Sequence, residues 1–216
     1  MAYKMYPILF NGEMVRAILE GRKTQTRRPM VPQPPDGHWW AETEAEQRLA
    51  AEYYPSARGR GCPCGIPGDR LWMRETFILE DTDTPPTDGR PYRETEEPGE
   101  FGQLLVPHYR ATEPEPHIVP LDLSDSYDDR TRWHPSIFMP RWASRITLEV
   151  TDVRVERVSD ISLADVHAEG KPENIWPTEL EFTWFRQQWN SIYAKRGLGW
   201  DANPWVWAVS FKKLED

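Results

Sequence analysis

The chain has few cysteines, no long apolar run and no excess of positive charge, and each absence excludes a class of protein. Its 216 residues include only two cysteines, Cys62 and Cys64, which are too few for a disulfide framework. No segment approaches the roughly 20 consecutive apolar residues of a membrane-spanning helix, and residues 1–10 do not resemble a secretory signal. The formal net charge of −9 gives no overall attraction to nucleic acid. These features predict a cytoplasmic protein with no membrane partner, which binds anions only through local patches.

A strongly basic segment follows the first predicted helix. That helix ends at Gly21, and residues 22–28 have the sequence Arg-Lys-Thr-Gln-Thr-Arg-Arg. Glycine is favoured at the left-handed position that closes a helix, and guanidinium, ammonium and hydroxyl groups bind phosphate. We call residues 22–28 the basic arm. It is interpreted as a phosphate-binding segment, and the alternative is an edge strand whose charges resist aggregation.

The hydrophobic pattern predicts an α+β fold with a mostly antiparallel, barrel-like sheet and flanking helices. A slip in the apolar alternation near Thr151 and Asp152 predicts a β-bulge. Helices are predicted after the caps Asn11, Ser162 and Thr178. The predicted strands cover residues 6–10, 70–78, 104–109, 145–158 and 205–211, and a further surface helix covers residues 42–52.

The chain is interpreted as a single domain of residues 1–216 with long loop insertions at about 31–60 and 79–132. Residues 79–103 are acidic and rich in Pro, Thr and Gly, a composition that offers little apolar surface to bury. We therefore expect this stretch to be a loop and not a structural element.

A carboxylate interrupts the apolar face of the strand predicted over residues 70–78. Leu71, Met73 and Glu75 share that face, whereas Trp72 and Arg74 share the other. A carboxylate at such a position indicates either that the strand end opens into a polar mouth or that Glu75 pairs with a buried cation.

Five segments along the chain form an ordered set of motifs. They are Gly21-Arg22-Lys23-Thr24-Gln25-Thr26, Pro67-Gly68-Asp69 with the following strand, Met139-Pro140-Arg141-Trp142-Ala143-Ser144-Arg145, Ala168-Glu169-Gly170 and Trp200-Asp201-Ala202-Asn203-Pro204-Trp205. This set resembles the ASCH domain, a PUA-like family associated with RNA and modified nucleotides, and the similarity is greatest to the ASCH proteins encoded by tailed phages and prophages. The resemblance implies a PUA-like barrel that binds RNA or a modified nucleotide or base in a basic cleft, without a cofactor.

One branch of the wider family, the bacterial N4-acetylcytidine amidohydrolases, resembles this chain at the basic arm. That resemblance implies Thr26 as nucleophile and Lys23 as the base that activates it, with a carboxylate from Glu169 or Glu75. A threonine hydroxyl needs such an activating neighbour, and a lysine serves as a base only when its pKa is lowered. Other ASCH-like proteins resemble ribonucleases, which implies metal-independent cleavage of RNA. The sequence leaves open whether this protein catalyses any reaction.

The binding interpretation requires fewer residues with specific chemical roles than the catalytic interpretation does. A base stacked on Trp72 or Trp142 and phosphates held by arginines would supply affinity. The residues expected to contact nucleic acid are Arg22, Lys23, Thr24, Arg27, Arg28, Trp72, Arg74, Arg141, Trp142 and Arg145.

Two further possibilities are weighed on the sequence. The Cys-x-Cys spacing of Cys62 and Cys64 is not the usual zinc spacing and no second pair exists, so no metal is expected. A phage assembly or host-interaction protein is a third interpretation of function, with the acidic residues 79–103 as its contact surface.

Overall fold

The protein is described by a computed structural model that covers residues 3–34, 43–53, 55–56, 59–99, 102–115, 133–175 and 178–215. Its architecture is mixed α+β, as the sequence predicts. The helices are α1 (Gly12–Leu19), α2 (Glu44–Tyr53), α3 (Leu163–Ala168) and α4 (Thr178–Tyr193). The strands are β1 (Met5–Leu9), β2 (Gln25–Pro29), β3 (Pro55–Ser56), β4 (Gly59–Arg60), β5 (Arg70–Arg74), β6 (Phe77–Thr82), β7 (Arg93–Gly99), β8 (Gly102–Tyr109), β9 (Thr147–Arg157) and β10 (Trp205–Lys213).

The chain divides into two compact units. The first comprises residues 1–6, 17–71 and 148–216, and the second comprises residues 7–16 and 72–147. Within the predicted insertions, residues 35–42 and 116–132 lie outside the described residues.

The strands form open sheets. Five strands pair in the order β1-β5-β9-β10-β2, three pair in the order β6-β8-β7, and β3 pairs with β4. Strand β10 is antiparallel to both β9 and β2. Among the described strands no sheet closes on itself, because β1 and β2 each have a single neighbour. The expected barrel closure is therefore not observed in this part of the chain.

The predicted bulge is confirmed in the first unit. Ser210 of β10 pairs with Asp152 of β9 and the next residue, Phe211, pairs with Val150, so Thr151 is the extra residue. Residues 206–209 of β10 are buried without interruption, because both faces of this strand are covered.

The predicted caps Asn11 and Ser162 are confirmed, whereas Thr178 is the first residue of α4 and not a cap before it. The Asn11 side chain accepts a hydrogen bond from the Met14 N–H at 2.9 Å. Ser162 and Asp165 form a capping box at the start of α3. Gly21 and Gly170 have φ values of 75° and 93°, the conformation that glycine adopts more easily than other residues.

Helix α4 packs its aromatic face into the core of the first unit. Phe185, Trp189 and Tyr193 are buried there with Val158 and Val206. Ile192, the residue before Tyr193, is 39% exposed. The four-residue spacing of Phe185, Trp189 and Tyr193 therefore defines the buried face of α4.

The expectation that residues 79–103 form a loop holds for residues 83–92, which form no strand or helix, but it is wrong for residues 79–82 and 93–99. Residues 79–82 belong to β6 and 93–99 belong to β7, and β6 pairs with β8 along its whole length. The backbone N–H and C=O groups of a strand must be hydrogen-bonded whatever its side chains are. Pairing with β8 provides these hydrogen bonds to β6. The predicted strand over residues 104–109 is confirmed within β8.

No helix in the described part of the chain combines the length and apolar character needed to cross a membrane.

Candidate functional site

The centre of the basic arm is buried in the first unit. The Lys23 amine donates to the Glu169 carboxylate at 2.7 Å, to the Gln25 carbonyl at 2.8 Å and to the Glu169 carbonyl at 2.9 Å. These three acceptors match the three N–H donors of an ammonium group. Glu169 lies at the end of α3, where its backbone forms a bridge with Lys23.

Arg27, four residues further on, is surrounded by three carboxylates. Its Nε donates to Glu156 at 2.7 Å, and its Nη1 donates to Glu169 at 3.2 Å. Its Nη2 lies 3.1 Å from Asp165, within ion-pair distance but without the alignment of a hydrogen bond. We call Lys23, Arg27, Glu156, Asp165 and Glu169 the Lys23 cluster.

Burial controls the chemistry of the Lys23 cluster. The Lys23 side chain is 0% exposed, and loss of solvation lowers its pKa although the neighbouring Glu169 acts to raise it. Burial acts to raise the pKa of Asp165, but the Ser162 hydrogen bond and the charges of Arg27 and Arg154 hold it at about 2. Two fully buried cations therefore face three carboxylates, of which Glu169 is buried and Glu156 and Asp165 are partly exposed.

Arg22, Thr24 and Arg28 of the basic arm lie nearer the surface. Thr24 is exposed and its N–H donates to the Ala168 carbonyl. Arg22 pairs with Glu20 and donates to the Gly170 carbonyl at 2.9 Å. Arg28 donates to the Tyr193 hydroxyl at 3.1 Å.

Thr26, the residue that the resemblance implies as a nucleophile, lies on β2. It pairs with Val209 of β10 and is buried. Lys23 precedes the strand, which begins at Gln25. The structure thus brings Lys23 together with Glu169, one of the two carboxylates named from the sequence.

The other carboxylate, Glu75, belongs to the second unit. It is buried there and paired with Arg145, whose Nε and Nη2 donate to its two oxygens at 3.0 and 3.1 Å. Burial raises the pKa of Glu75, and the Arg145 guanidinium partly opposes this shift. The Arg145 guanidinium stacks 3.9 Å from the centre of the Tyr109 ring. Of the two explanations for a carboxylate on this face, pairing with a cation is the one observed.

Trp142, expected to stack a base, packs against the core of the second unit. The buried residues beside it are Phe77, Tyr109, Met139 and Ala143. Trp142 and Arg145 both contact this core, and Arg145 is 20% exposed as a side chain.

A cationic and aromatic surface lies on the outer face of β5 in the same unit. The guanidinium carbons of Arg74 and Arg141 lie 5.3 and 5.9 Å from the centre of the Trp72 ring, within cation–π distance. Arg74 also donates to the Ile137 carbonyl. The neighbouring Phe138 side chain is 68% exposed. We call Trp72, Arg74, Ile137, Phe138 and Arg141 the Trp72 surface.

Sequence reasoning missed several charged residues that the fold brings together. Glu156 is one acid among many on a strand, and no local pattern marks it as the partner of Arg27. The exposed Phe138 was missed as well, although it directly precedes the motif that begins at Met139. A further cluster around His108 in the second unit had no sequence signal, because Glu80 lies 28 residues before His108.

Cys62 and Cys64 are buried thiols. The Cys64 N–H contacts the Cys62 sulfur at 3.4 Å, and burial raises the pKa of Cys62 well above its usual range. Among the residues that the structure describes, no three His, Cys, Asp or Glu side chains are arranged to hold a metal ion. Comparison of the chain with family models, with curated proteins and with solved structures gives no match.

Proposed function

We propose that this chain binds single-stranded RNA or a modified nucleotide, and that one unpaired base stacks at the Trp72 surface. The observation that carries the proposal is the pair of guanidinium groups beside one indole ring in a protein of net charge −9. Aromatic rings and guanidinium planes both stack on bases, and guanidinium groups also bind phosphate.

The charges of the Trp72 surface support an anionic ligand. Its five residues include two cations and no carboxylate. Guanidinium groups donate charge-assisted hydrogen bonds to phosphate oxygens. The exposed ring of Phe138 adds an apolar contact that a sugar or a base would cover.

The proposal extends the resemblance to the ASCH domain, whose PUA-like fold implies an RNA or modified-nucleotide ligand. The mixed α+β architecture is compatible with that fold. The open five-stranded sheet takes the place of the expected barrel in the described residues.

Replacing Trp72 tests the proposal. We expect Trp72→Ala to weaken binding of a fluorescein-labelled 12-nucleotide single-stranded RNA about tenfold or more, because stacking contributes roughly 1–3 kcal/mol per base. Fluorescence anisotropy at fixed salt measures the affinity, and a panel of modified nucleosides used as competitors identifies the preferred base.

Arginine variants provide the matched control for this experiment. Arg141→Ala should weaken binding and lower the salt dependence by about 0.7 in the log–log slope. Arg186→Ala removes an exposed arginine of the first unit that pairs with Asp201, and it should leave binding unchanged. If Trp72→Ala folds normally and binds the RNA as tightly as the wild type, the Trp72 surface is not the binding site.

A hydrolase is the second candidate, and the Lys23 cluster favours it. Burial lowers the pKa of Lys23, the direction that a general base requires, and Glu169 orients the amine at 2.7 Å. The opposing observation is that all three amine donors already have acceptors, an arrangement that suits a structural ammonium.

Turnover of N4-acetylcytidine distinguishes a catalytic role of the Lys23 cluster from a structural one. If the protein hydrolyses this nucleoside, Thr26→Ala should abolish turnover and leave nucleoside binding nearly intact, because the hydroxyl acts only in the transition state. Thr26→Ser, which keeps a hydroxyl, should retain part of the activity. Equal turnover in wild type and Thr26→Ala would exclude Thr26 as the nucleophile.

A further inference from the structure

One edge of the Arg145 guanidinium group, in the second unit, is occupied by a buried carboxylate. Its Nε and Nη2 donate to the two oxygens of Glu75 at 3.0 and 3.1 Å, and the Glu75 side chain is 3% exposed. This side-on contact uses the Nε–H and one of the two Nη2 protons. Glu75 therefore fixes the direction of the guanidinium group and leaves the N–H groups of its other edge for a second acceptor.

The face of the same guanidinium group is covered by an aromatic ring. The guanidinium carbon lies 3.9 Å from the centre of the Tyr109 ring, within cation–π distance. Tyr109 is itself held in place, because it is buried and its hydroxyl donates to the Ala143 carbonyl at 2.9 Å. The Arg145 side chain is thus ordered by its own protein before any ligand binds, which lowers the entropic cost of binding.

The second edge of the Arg145 guanidinium group reaches the surface. Among the residues that the structure describes, none accepts a hydrogen bond from Nη1, and this nitrogen is not one of the buried side-chain atoms without a partner. The Arg145 side chain is 20% exposed, although Glu75 and Tyr109 are buried. Nη1 and the outer proton of Nη2 form a second fork, whose geometry matches two oxygens of one phosphate or carboxylate group.

This ordering distinguishes Arg145 from an arginine of the same unit that contacts an aromatic ring only loosely. Arg110 is exposed, and its guanidinium carbon lies 5.9 Å from the centre of the Trp133 ring. A mobile arginine loses rotamer freedom when it binds an anion, whereas Arg145 has already lost it. Because Glu75 balances the charge of Arg145, directed hydrogen bonds and not surplus positive charge supply its affinity for a second oxyanion.

We propose that the surface edge of Arg145 binds a phosphate group, and that the protein consequently prefers a nucleotide to the corresponding nucleoside. The choice of phosphate over carboxylate rests on the proposed function, in which the ligand is RNA or a nucleotide. Arg145 is the residue that contacts the phosphate, and Glu75 and Tyr109 are positioning residues that hold it. Phosphate binding at Arg145 does not require stacking at the Trp72 surface, so the two sites are tested separately.

Replacing Arg145 by lysine tests the proposal. Arg145→Lys keeps a cation beside Glu75 but removes the second fork, because an ammonium group acts as a point charge. Competition with the labelled RNA at constant ionic strength compares cytidine 5′-monophosphate with cytidine. We expect the wild type to bind the monophosphate about tenfold more tightly, the ratio expected from charge-assisted hydrogen bonds, and Arg145→Lys to lose this preference. Arg110→Lys, the matched control in the same unit, should keep it.

Titration of the wild type with inorganic phosphate decides the outcome even if Arg145→Lys does not fold or the RNA does not bind. Nitrogen-15 spectra of the arginine side chains should show the Arg145 Nε signal shifting saturably with phosphate, and not with chloride at the same ionic strength. Trp72→Ala should leave this shift unchanged, so a failure of the Trp72 surface is distinguishable from a failure of the Arg145 site.

Three results would overturn the proposal. The first is the absence of a saturable Arg145 shift with phosphate, and the second is a larger shift with acetate than with phosphate. The third is equal affinity of the wild type for cytidine and its monophosphate, or a preference for the monophosphate that a folded Arg145→Lys variant retains.

Discussion

Replacing Glu169 by glutamine is expected to destabilise the protein by about 3–5 kcal/mol, the usual cost of removing one partner from a buried ion pair. The substitution keeps the size of the side chain but leaves the Lys23 ammonium without its carboxylate. Lys23 is fully buried, so water cannot replace the lost partner. Arg27 loses one of its three acidic neighbours at the same time. Urea unfolding followed by tryptophan fluorescence measures the change in the free energy of unfolding.

The control for this variant is an ion pair at the surface. Glu149 pairs with Lys212 at 3.0 Å, and the two side chains are half-buried and exposed respectively. Glu149→Gln should change the free energy of unfolding by no more than about 1 kcal/mol, because solvent screens such pairs. The double variant Lys23→Met with Glu169→Gln should lose less than the sum of its single variants, since it removes the unpaired charge. Additive losses would show that the pair is not energetically coupled.

The variant Gly170→Ala is expected to lose about 2–5 kcal/mol in its free energy of unfolding, because it adds a methyl group at a crowded position. Two effects add. The backbone at Gly170 has a φ of 93°, which costs a residue with a Cβ roughly 1–2 kcal/mol. The new Cβ would lie 2.9 Å from the Lys23 Cβ and 3.0 Å from the Ala17 Cβ, and overpacking of this kind costs typically about 1–3 kcal/mol. Thermal and urea unfolding both measure the loss.

Gly68 separates the two effects. Its φ of 94° nearly equals that of Gly170, yet a Cβ built there meets no atom within 4 Å. Gly68→Ala should therefore cost only the backbone strain, about 1–2 kcal/mol. Equal losses in the two variants would mean that Lys23 and Ala17 move aside without cost, and that Gly170 is not required for the close approach of α3 to the basic arm.

Local signals in the sequence predicted the local parts of this fold. The capping side chain of Asn11, the capping box of Ser162 and Asp165 and the positive φ of Gly21 all depend on residues within four positions of each other. The bulge at Thr151 was predictable for the same reason, because a slip in a two-residue period is visible in one strand.

The burial of the basic arm was not predictable from local signals in the sequence. A dense run of cations shows charge but not burial, and the carboxylates that surround Lys23 and Arg27 lie 129 to 146 residues further along the chain. Strand β6 was missed because its partner β8, and not its own composition, stabilises it. The Lys23 cluster is formed by residues that are distant in sequence, so it could be recognised only from the fold as a whole.

The distance between the basic arm and its partners also fixes the order of events during synthesis. Strand β2 can complete its pairing with β10 only after Ser210 has been made, and Lys23 and Arg27 can meet Glu169 only after the end of α3 has been made. At about 5–20 residues per second, the nascent chain carries these two cations in water for roughly 7–30 s before their carboxylates emerge. A chain interrupted before Glu156 never neutralises them. Lys23 and Arg27, which the folded protein buries, are therefore exposed positive charges of the nascent chain during synthesis.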